Sequence, residues 1–446
     1  MRTQLEARKD RHAFVRRGIA VICILMGGAA VASAQIGTAE LVNPRSSLAD
    51  QFGSSLAMSS DAGTVLVGAP TGTIGGLLNV GRAYVYSRQG GLWPGTAELS
   101  IPAAQVPKAG DRFGSAVALS ADGTVALVGA QDRNSGRGAF ETFELQGGTW
   151  TWINEVAGMA TNALFGASLA LSADGSTAVV LAPNELSAGV VHVYTSGPSG
   201  SWTPKGHLTA LPTDEGSLIS VALSRDGGTI AAAVQTSCAL GFNCGSVYVF
   251  TRNGGSWTQQ AHLTASDPIG DMNFGLTISL SADGNTAAFG TYSGWGAYVF
   301  ERSGSIWTEV QKFRFVVPTY SGQPVALSED GLNLLVGSAG TSPSGAVDLF
   351  TRTATGWVKR LTIPDLVDQQ GAAFGQILAL SADGSVAAVT APFAVRPGAG
   401  DFGKAYAVAI AAPVVDTPTL SGAGLLLLAL VLAVGGAALL HRRTAT

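Results

Sequence analysis

The apolar positions of this chain come in short runs separated by glycine, serine and aspartate, and one such run recurs. Its clearest copy is Phe113-Gly114-Ser115-Ala116-Val117-Ala118-Leu119-Ser120-Ala121-Asp122-Gly123-Thr124-Val125-Ala126-Leu127-Val128-Gly129-Ala130. Seven copies are anchored on Asp61, Asp122, Asp174, Asp226, Asp283, Asp330 and Asp383, at offsets of 47 to 61 residues. Nine residues before the Asp stand Phe52, Phe113, Phe165, Phe274 and Phe374, with Ser217 and Ser321 in that register in the fourth and sixth copies. Repetition at this period means an array, a solenoid or a propeller.

Each copy reads as four strands. The first is apolar-small-apolar, as in Val117-Ala118-Leu119 and Leu378-Ala379-Leu380, which suits an innermost strand crowded against an axis. Ser-x-Asp-Gly is a hairpin turn, because Asp bonds its own backbone and Gly accepts positive φ. A second apolar strand follows. The third opens at a Gly and alternates in period two, as in Gly245-Ser246-Val247-Tyr248-Val249-Phe250,. A fourth, outer strand carries Trp93, Trp150, Trp202, Trp257, Trp307 or Trp357 near its start. Seven such units predict an all-β, seven-bladed β-propeller of four-stranded antiparallel blades, a closed ring that hides most sheet edges.

The ring closes through its ends. The seventh copy stops after Gly403-Lys404-Ala405-Tyr406-Ala407-Val408-Ala409-Ile410 without a fourth strand, whereas Gly37-Thr38-Ala39-Glu40-Leu41 repeats Gly95-Thr96-Ala97-Glu98-Leu99 of the first copy's outer strand. Residues 36–44 are therefore expected to pair beside Tyr406 to Ile410 as the missing strand.

Phe-Gly opening the inner strand and Val67-Gly68-Ala69-Pro70 closing the next resemble the FG-GAP repeats of the integrin α-subunit propeller and related bacterial proteins, over residues 35–411. The family's calcium-binding copies carry Asp-x-Asp-x-Asp-Gly between the first two strands. Here the corresponding positions of copy two are Ala118, Ser120 and Asp122, one carboxylate where calcium takes six to eight oxygens. The Asp residues are read as turn formers, and no metal or cofactor is expected.

Charge narrows the partners. The formal net charge is -4, and setting aside the first 34 and last 35 residues leaves 18 basic against 27 acidic groups. No basic face is suggested, so nucleic acid is not an expected partner. His207 and His262 recur in equivalent His-Leu-Thr-Ala stretches and His192 stands in a third strand, a pattern of repetition and not of metal ligation. No Gly-x-Ser-x-Gly with partners, His-Glu-x-x-His or phosphate-cradling loop is present. Cys238 and Cys244 bracket the loop between the second and third strands of copy four, and in an oxidising compartment they should form a disulfide. In propellers the loops after the second and fourth strands share one face that usually binds ligands. By that analogy the candidate ligand face comprises Asp111, Arg112, Asp132, Arg133, Asp271 and Arg396.

Both ends carry export signals. Six basic residues within 1–17, an apolar run from Gly18 to Ala32 and the small-residue site Ala32-Ser33-Ala34 read as a signal peptide over 1–34, cut between Ala34 and Gln35 by signal peptidase. Residues 412–417 are a linker. Pro418-Thr419-Leu420-Ser421 then precedes nineteen uncharged residues, 422–440, and the basic stop Arg442-Arg443. Those nineteen residues would span about 28 Å as a transmembrane helix, and the arginines place its end in the cytoplasm. This order over 418–446 resembles the IPTL-type sorting signals of bacteria, which implies an exosortase-like transpeptidase as partner. The expected protein is a non-enzymatic binding or adhesion module, exported to the cell envelope or beyond and anchored by its C-terminal helix at least as a precursor, with an extracellular protein or glycan as ligand. The alternatives are a propeller enzyme acting on envelope polysaccharide and a passive matrix component.

Overall fold

The computed structural model describes residues 36–410 apart from 46–49, 187, 209–215, 240, 293–295, 315–322, 339–344, 368, 370 and 397–398. Ala34, Gln35, the linker 412–417, Pro418 to Ser421, the segment 422–440, Arg442 and Arg443 therefore lie outside the described residues, as does Ser321. Among the described residues no helix is long and apolar enough to cross a membrane.

Residues 36–410 build seven four-stranded antiparallel sheets. Six use consecutive strands. Blade 1, for example, runs Ser55–Met58, Thr64–Ala69, Arg82–Ser87 and Gly95–Leu99. The seventh takes Leu378–Leu380, Val386–Ala391 and Lys404–Ile410 from the C-terminal side and Ile36–Leu41 from the N-terminal side. The register runs from Ile36 opposite Ile410 to Leu41 opposite Ala405. The closing strand is shorter than 36–44, because Val42 onward leaves the ladder to engage blade 1: the Tyr86 hydroxyl donates to Val42 O at 2.7 Å and Asn43 Nδ2 donates to both oxygens of buried Asp50.

The Phe-Gly pairs explain how one blade recognises the next. Phe52, Phe113, Phe165, Phe274 and Phe374 are all essentially inaccessible. Phe113, for instance, packs among Ala83, Val85 and Leu99 of blade 1 and Phe143 of its own blade. The following Gly114 sits at φ +93°, where a Cβ would lie 2.2 Å from Arg82 O of blade 1; only glycine allows that approach. Blade 4 lacks the aromatic, and Leu218, beside Ser217, fills the equivalent cluster against Val179 and Val191 of blade 3.

The Ser-x-Asp-Gly turns are built alike in all seven blades. The Ser hydroxyl donates to Oδ1 of the Asp two residues on at 2.5–2.7 Å. The same oxygen accepts the backbone N–H two residues further at 2.7–3.0 Å. Copy one departs by placing Ala62 where the others have Gly, and it takes the left-handed φ of 53° that glycine holds elsewhere. Burial pushes the carboxyls of Asp122, Asp174, Asp283 and Asp383 up, and these bonds outweigh it and hold them below the ordinary range. Adjacent turns are linked by backbone hydrogen bonds of 2.7–3.1 Å that run Ser60, Ala121, Ala173, Arg225/Asp226, Ala282, Glu329, Ala382 and back to Ser60. A closed belt thus stitches one face of the ring. Since each turn carboxylate already satisfies its own hairpin, melting curves in chelator and in millimolar calcium should superimpose. A large upward shift on adding calcium would reveal a bound cation.

Candidate functional site

The opposite face carries the loops after each second and fourth strand. Between blades 1 and 2, four residues singled out in the sequence meet. Arg133 Nη1 lies 2.9 Å from Asp111 Oδ2, both side chains buried, and Arg112 Nε lies 3.4 Å from Asp132 Oδ2 near solvent. The tight loop that delivers Arg133 turns on Asn134 and Ser135, both left-handed at φ 56° and 64°.

Two acids that the sequence did not single out complete this cluster. Glu141 and Glu155 are cross-strand neighbours on the third and fourth strands of blade 2. Arg133 Nε stands 2.7 Å from Glu155 Oε2 and 3.4 Å from Glu141 Oε1, and Arg133 Nη2 donates to Gln105 O at 2.8 Å. Trp152 Nε1 donates to Glu141 Oε2 at 2.7 Å, and Asn134 Nδ2 to Glu155 Oε1 at 2.9 Å. Burial, reinforced by the neighbouring Glu155, pushes the Glu141 carboxyl up to about 8. Burial acts on Glu155 in the same sense, but hydrogen bonds from Asn134 and Arg133 hold it below the usual range. The signal for this site was positional. The third-strand residue that faces the outer strand here is Tyr84, Tyr248, Tyr298 and Tyr406 in four blades and Glu141 in blade 2.

Around the axis the innermost strands line a channel of about 270 Å³. Its end on the turn face is crossed by Arg225 of blade 4. Nε is 2.9 Å from Glu329 Oε1 of blade 6, and Nη1 donates to Leu119 O of blade 2 at 2.9 Å. The Ser60 hydroxyl also bonds Glu329. Both residues occupy the x of Ser-x-Asp-Gly, which is Ser60, Ala121, Ala173, Ala282 or Ala382 in the other copies. That contrast was visible in the sequence, but its meaning required the ring.

Cys238 and Cys244 are joined by a disulfide that pinches the blade 4 loop. The loop rests on the next one through Asp271 N–H to Phe242 O, Asn273 N–H to Asn243 O and Phe274 N–H to Cys244 O, at 2.7–2.9 Å. Asp271 accepts from Asn243 Nδ2 at 3.2 Å and so braces the two loops. Of Arg396 the backbone alone is described, in a short ladder with Ala399–Asp401. His192 lies opposite His207 and 2.7 Å from Glu185 Oε2. Among the described residues no group of three or more His, Cys, Asp or Glu is arranged to hold a metal ion.

Residues 38–86 and 257–306 match the FG-GAP repeat family. Both stretches begin on an outermost strand and run through the three inner strands of the next blade, so the repeat is staggered against the blade. That stagger is why the first repeat donates its leading strand to the last blade. None of the curated proteins matches the chain. Among solved structures, the chain is similar to the β-propeller domain of Myceliophteria thermophila Cps50 (Swd1), at 11% identity and a TM-score of 0.55 over 84% of this chain and 100% of that one. It is also similar to Kuenenia stuttgartiensis hydrazine synthase, at 14% and 0.52 over 80% and 95%, and to a protein from Lactobacillus plantarum, at 16% and 0.51 over 73% and 88%. At these identities the likeness is one of fold. The chain is a seven-bladed propeller, two stretches of which match the FG-GAP repeat.

Proposed function

We propose that this protein is an exported binding module that recognises an extracellular protein or glycan with its loop-bearing face and reaches the cell envelope through its terminal segments. The observation that supports this reading is the difference between the two faces. On one, the turn carboxylates and backbone groups are engaged in seven near-identical hairpins and their belt. On the other, loops of adjoining blades differ in sequence and are braced in pairs, Asp111 on Arg133 and Asn243 on Asp271. Rigid, individual loops on a closed ring are what a specific recognition surface requires.

The enzyme reading draws on one observation, the acid pair Glu141 and Glu155. Glu141, however, is fully buried, with one oxygen on the Trp152 indole and the other facing Arg133. A general acid must reach the substrate atom it protonates, and this one is walled in. Protein and glycan arrays probed with the full-length chain should show specific binding that loop-face substitutions abolish, and a glycan hydrolysis screen should show no turnover. Hydrolysis lost in Glu155→Gln would reverse the reading.

In this proposal signal peptidase removes 1–34, the apolar segment 422–440 holds the precursor in the membrane, and an exosortase-like transpeptidase cuts near Pro418 to Ser421. Mass spectrometry of the mature protein should then find no peptide from 425–443. Their presence in the surface-located form would leave a plain membrane anchor.

A further inference from the structure

At the boundary of blades 4 and 5 the loop face contains a cavity of about 330 Å³ lined by Thr236, Ser237, the Cys238–Cys244 disulfide, Ser246, His262, Thr264 and Pro268. We propose that it is a binding site for a neutral, polyhydroxylated ligand, one sugar residue of a glycan. The proposal rests on the binding-module reading and names its ligand class and place.

The cavity lies where some other blades hold a cation. In blade 1 the corresponding third-strand position is Arg82, whose guanidinium bridges Glu98 on the outer strand (2.7 Å) and Thr73 O in the loop (2.7 Å). In blade 2 Arg133 enters from the loop and likewise reaches the outer-strand acid Glu155, its other donor going to Gln105 O in the loop after blade 1. In blade 7 the pair is Lys404 and Glu40. Blade 4 has Ser246 in place of the cation and His262 in place of the carboxylate. The space between loop and outer strand is thereby left open, with its polar rim retained.

Its lining specifies the ligand. No Asp, Glu, Lys or Arg lines it. Of the acids in the adjoining loop, Asp267 is taken by Tyr298, Lys312 and Arg314, and Asp271 by Asn243. A charged ligand would find no counter-ion. The hydroxyls of Thr236, Ser237, Ser246 and Thr264 offer both donors and acceptors. Ser246 Oγ is buried with no hydrogen-bond partner, a group that normally has one. The His262 ring is held flat against Tyr248, centroids 4.3 Å apart and 8° from parallel. The disulfide and the three backbone bonds onto residues 271–274 fix the loop wall, so little ordering cost remains for binding. The volume lies at the lower end of small-molecule sites, suited to a single ring.

The test is saturation-transfer NMR of the full-length chain in mild detergent with hexoses, N-acetylhexosamines and 6-deoxyhexoses, with glucuronic acid as the charged control. A neutral sugar should receive transfer and glucuronic acid should not. Ser246→Arg, which restores the blade 1 side chain, should abolish the signal at some cost in melting temperature, because no carboxylate lines the space to pair it,, and His262→Ala should weaken binding about tenfold with unchanged melting. If Ser246→Arg does not fold, Ser246→Ala carries the test by removing only the hydroxyl, and it too must weaken binding. Transfer that persists unchanged in these variants overturns the proposal. A wild type that binds array proteins but no neutral sugar also overturns it while leaving the binding-module reading intact, and a wild type that binds neither overturns both.

Discussion

Removing residues 36–41 should yield a chain that no longer folds to a stable monomer. Those six residues form the outermost strand of blade 7, paired along Ala405 to Ile410. Leu41, 1% exposed, packs in one cluster with Phe52, Tyr84 and Tyr86 of blade 1 and Ala405 and Ala407 of blade 7. Truncating such a leucine alone costs about 2–5 kcal/mol, and each lost ladder hydrogen bond adds about 1 kcal/mol. The sum approaches the whole stability of a domain, about 5–15 kcal/mol. The deletion also bares an edge strand that can pair with another copy. Thermal melting should show a collapse of the transition, and size-exclusion chromatography a shift to larger species. Leu41→Ala should give a graded loss, and a peptide spanning 36–44 added in trans should restore part of the deletion variant's stability. A deletion variant that melts with the wild type would disprove closure by this strand.

Arg133→Met should destabilise the protein by about 3–5 kcal/mol, the cost of stranding buried acids without their cation. Here the carboxylates of Asp111 and Glu155 depend on one guanidinium, which the Glu141 carboxyl also faces. The cluster also sets a pH dependence. The Glu141 carboxyl rises from an ordinary 4.5 to about 8 in the folded protein. Between those values the folded state keeps a proton that the unfolded state has released, so its contribution to stability falls as pH rises. Glu155, held low, acts oppositely: its contribution is present above its ordinary range and is lost in acid. Glu141→Gln keeps an oxygen for the Trp152 indole and has no proton to lose. Its melting temperature should therefore decline less than that of the wild type between pH 5 and 8. Parallel melting curves across that range would show that Glu141 does not hold the proton.

What the sequence by itself determined is the repeating unit. The turn is written within six residues, since Ser120 and Asp122 bond only their own hairpin. The strands follow from period-two alternation, and ring closure from the recurrence of Gly-Thr-Ala-Glu-Leu at residues 37–41 and 95–99. These features rest on contacts a few residues apart or on comparison of copies, so they are legible without coordinates. The propeller analogy puts Asp111, Arg112, Asp132 and Arg133 on loops of one face, but that they pair with one another is decided by the tertiary structure. The end of the closing strand was misplaced by three residues, since Val42 and Asn43 are drawn off by Tyr86 and Asp50 of a neighbouring blade.

Only the tertiary structure decided which unusual side chains confront one another. Arg225 and Glu329 stand 104 residues apart and meet across the axis. Glu141 and Glu155 come under Arg133 because a strand pair and a loop converge there. The blade 4 cavity arises where Ser246 leaves unfilled what Arg82 fills in blade 1. Local sequence encodes hydrogen bonds and alternation along one chain segment, whereas charge pairing across a ring and empty volume depend on several blades at once and leave no contiguous motif.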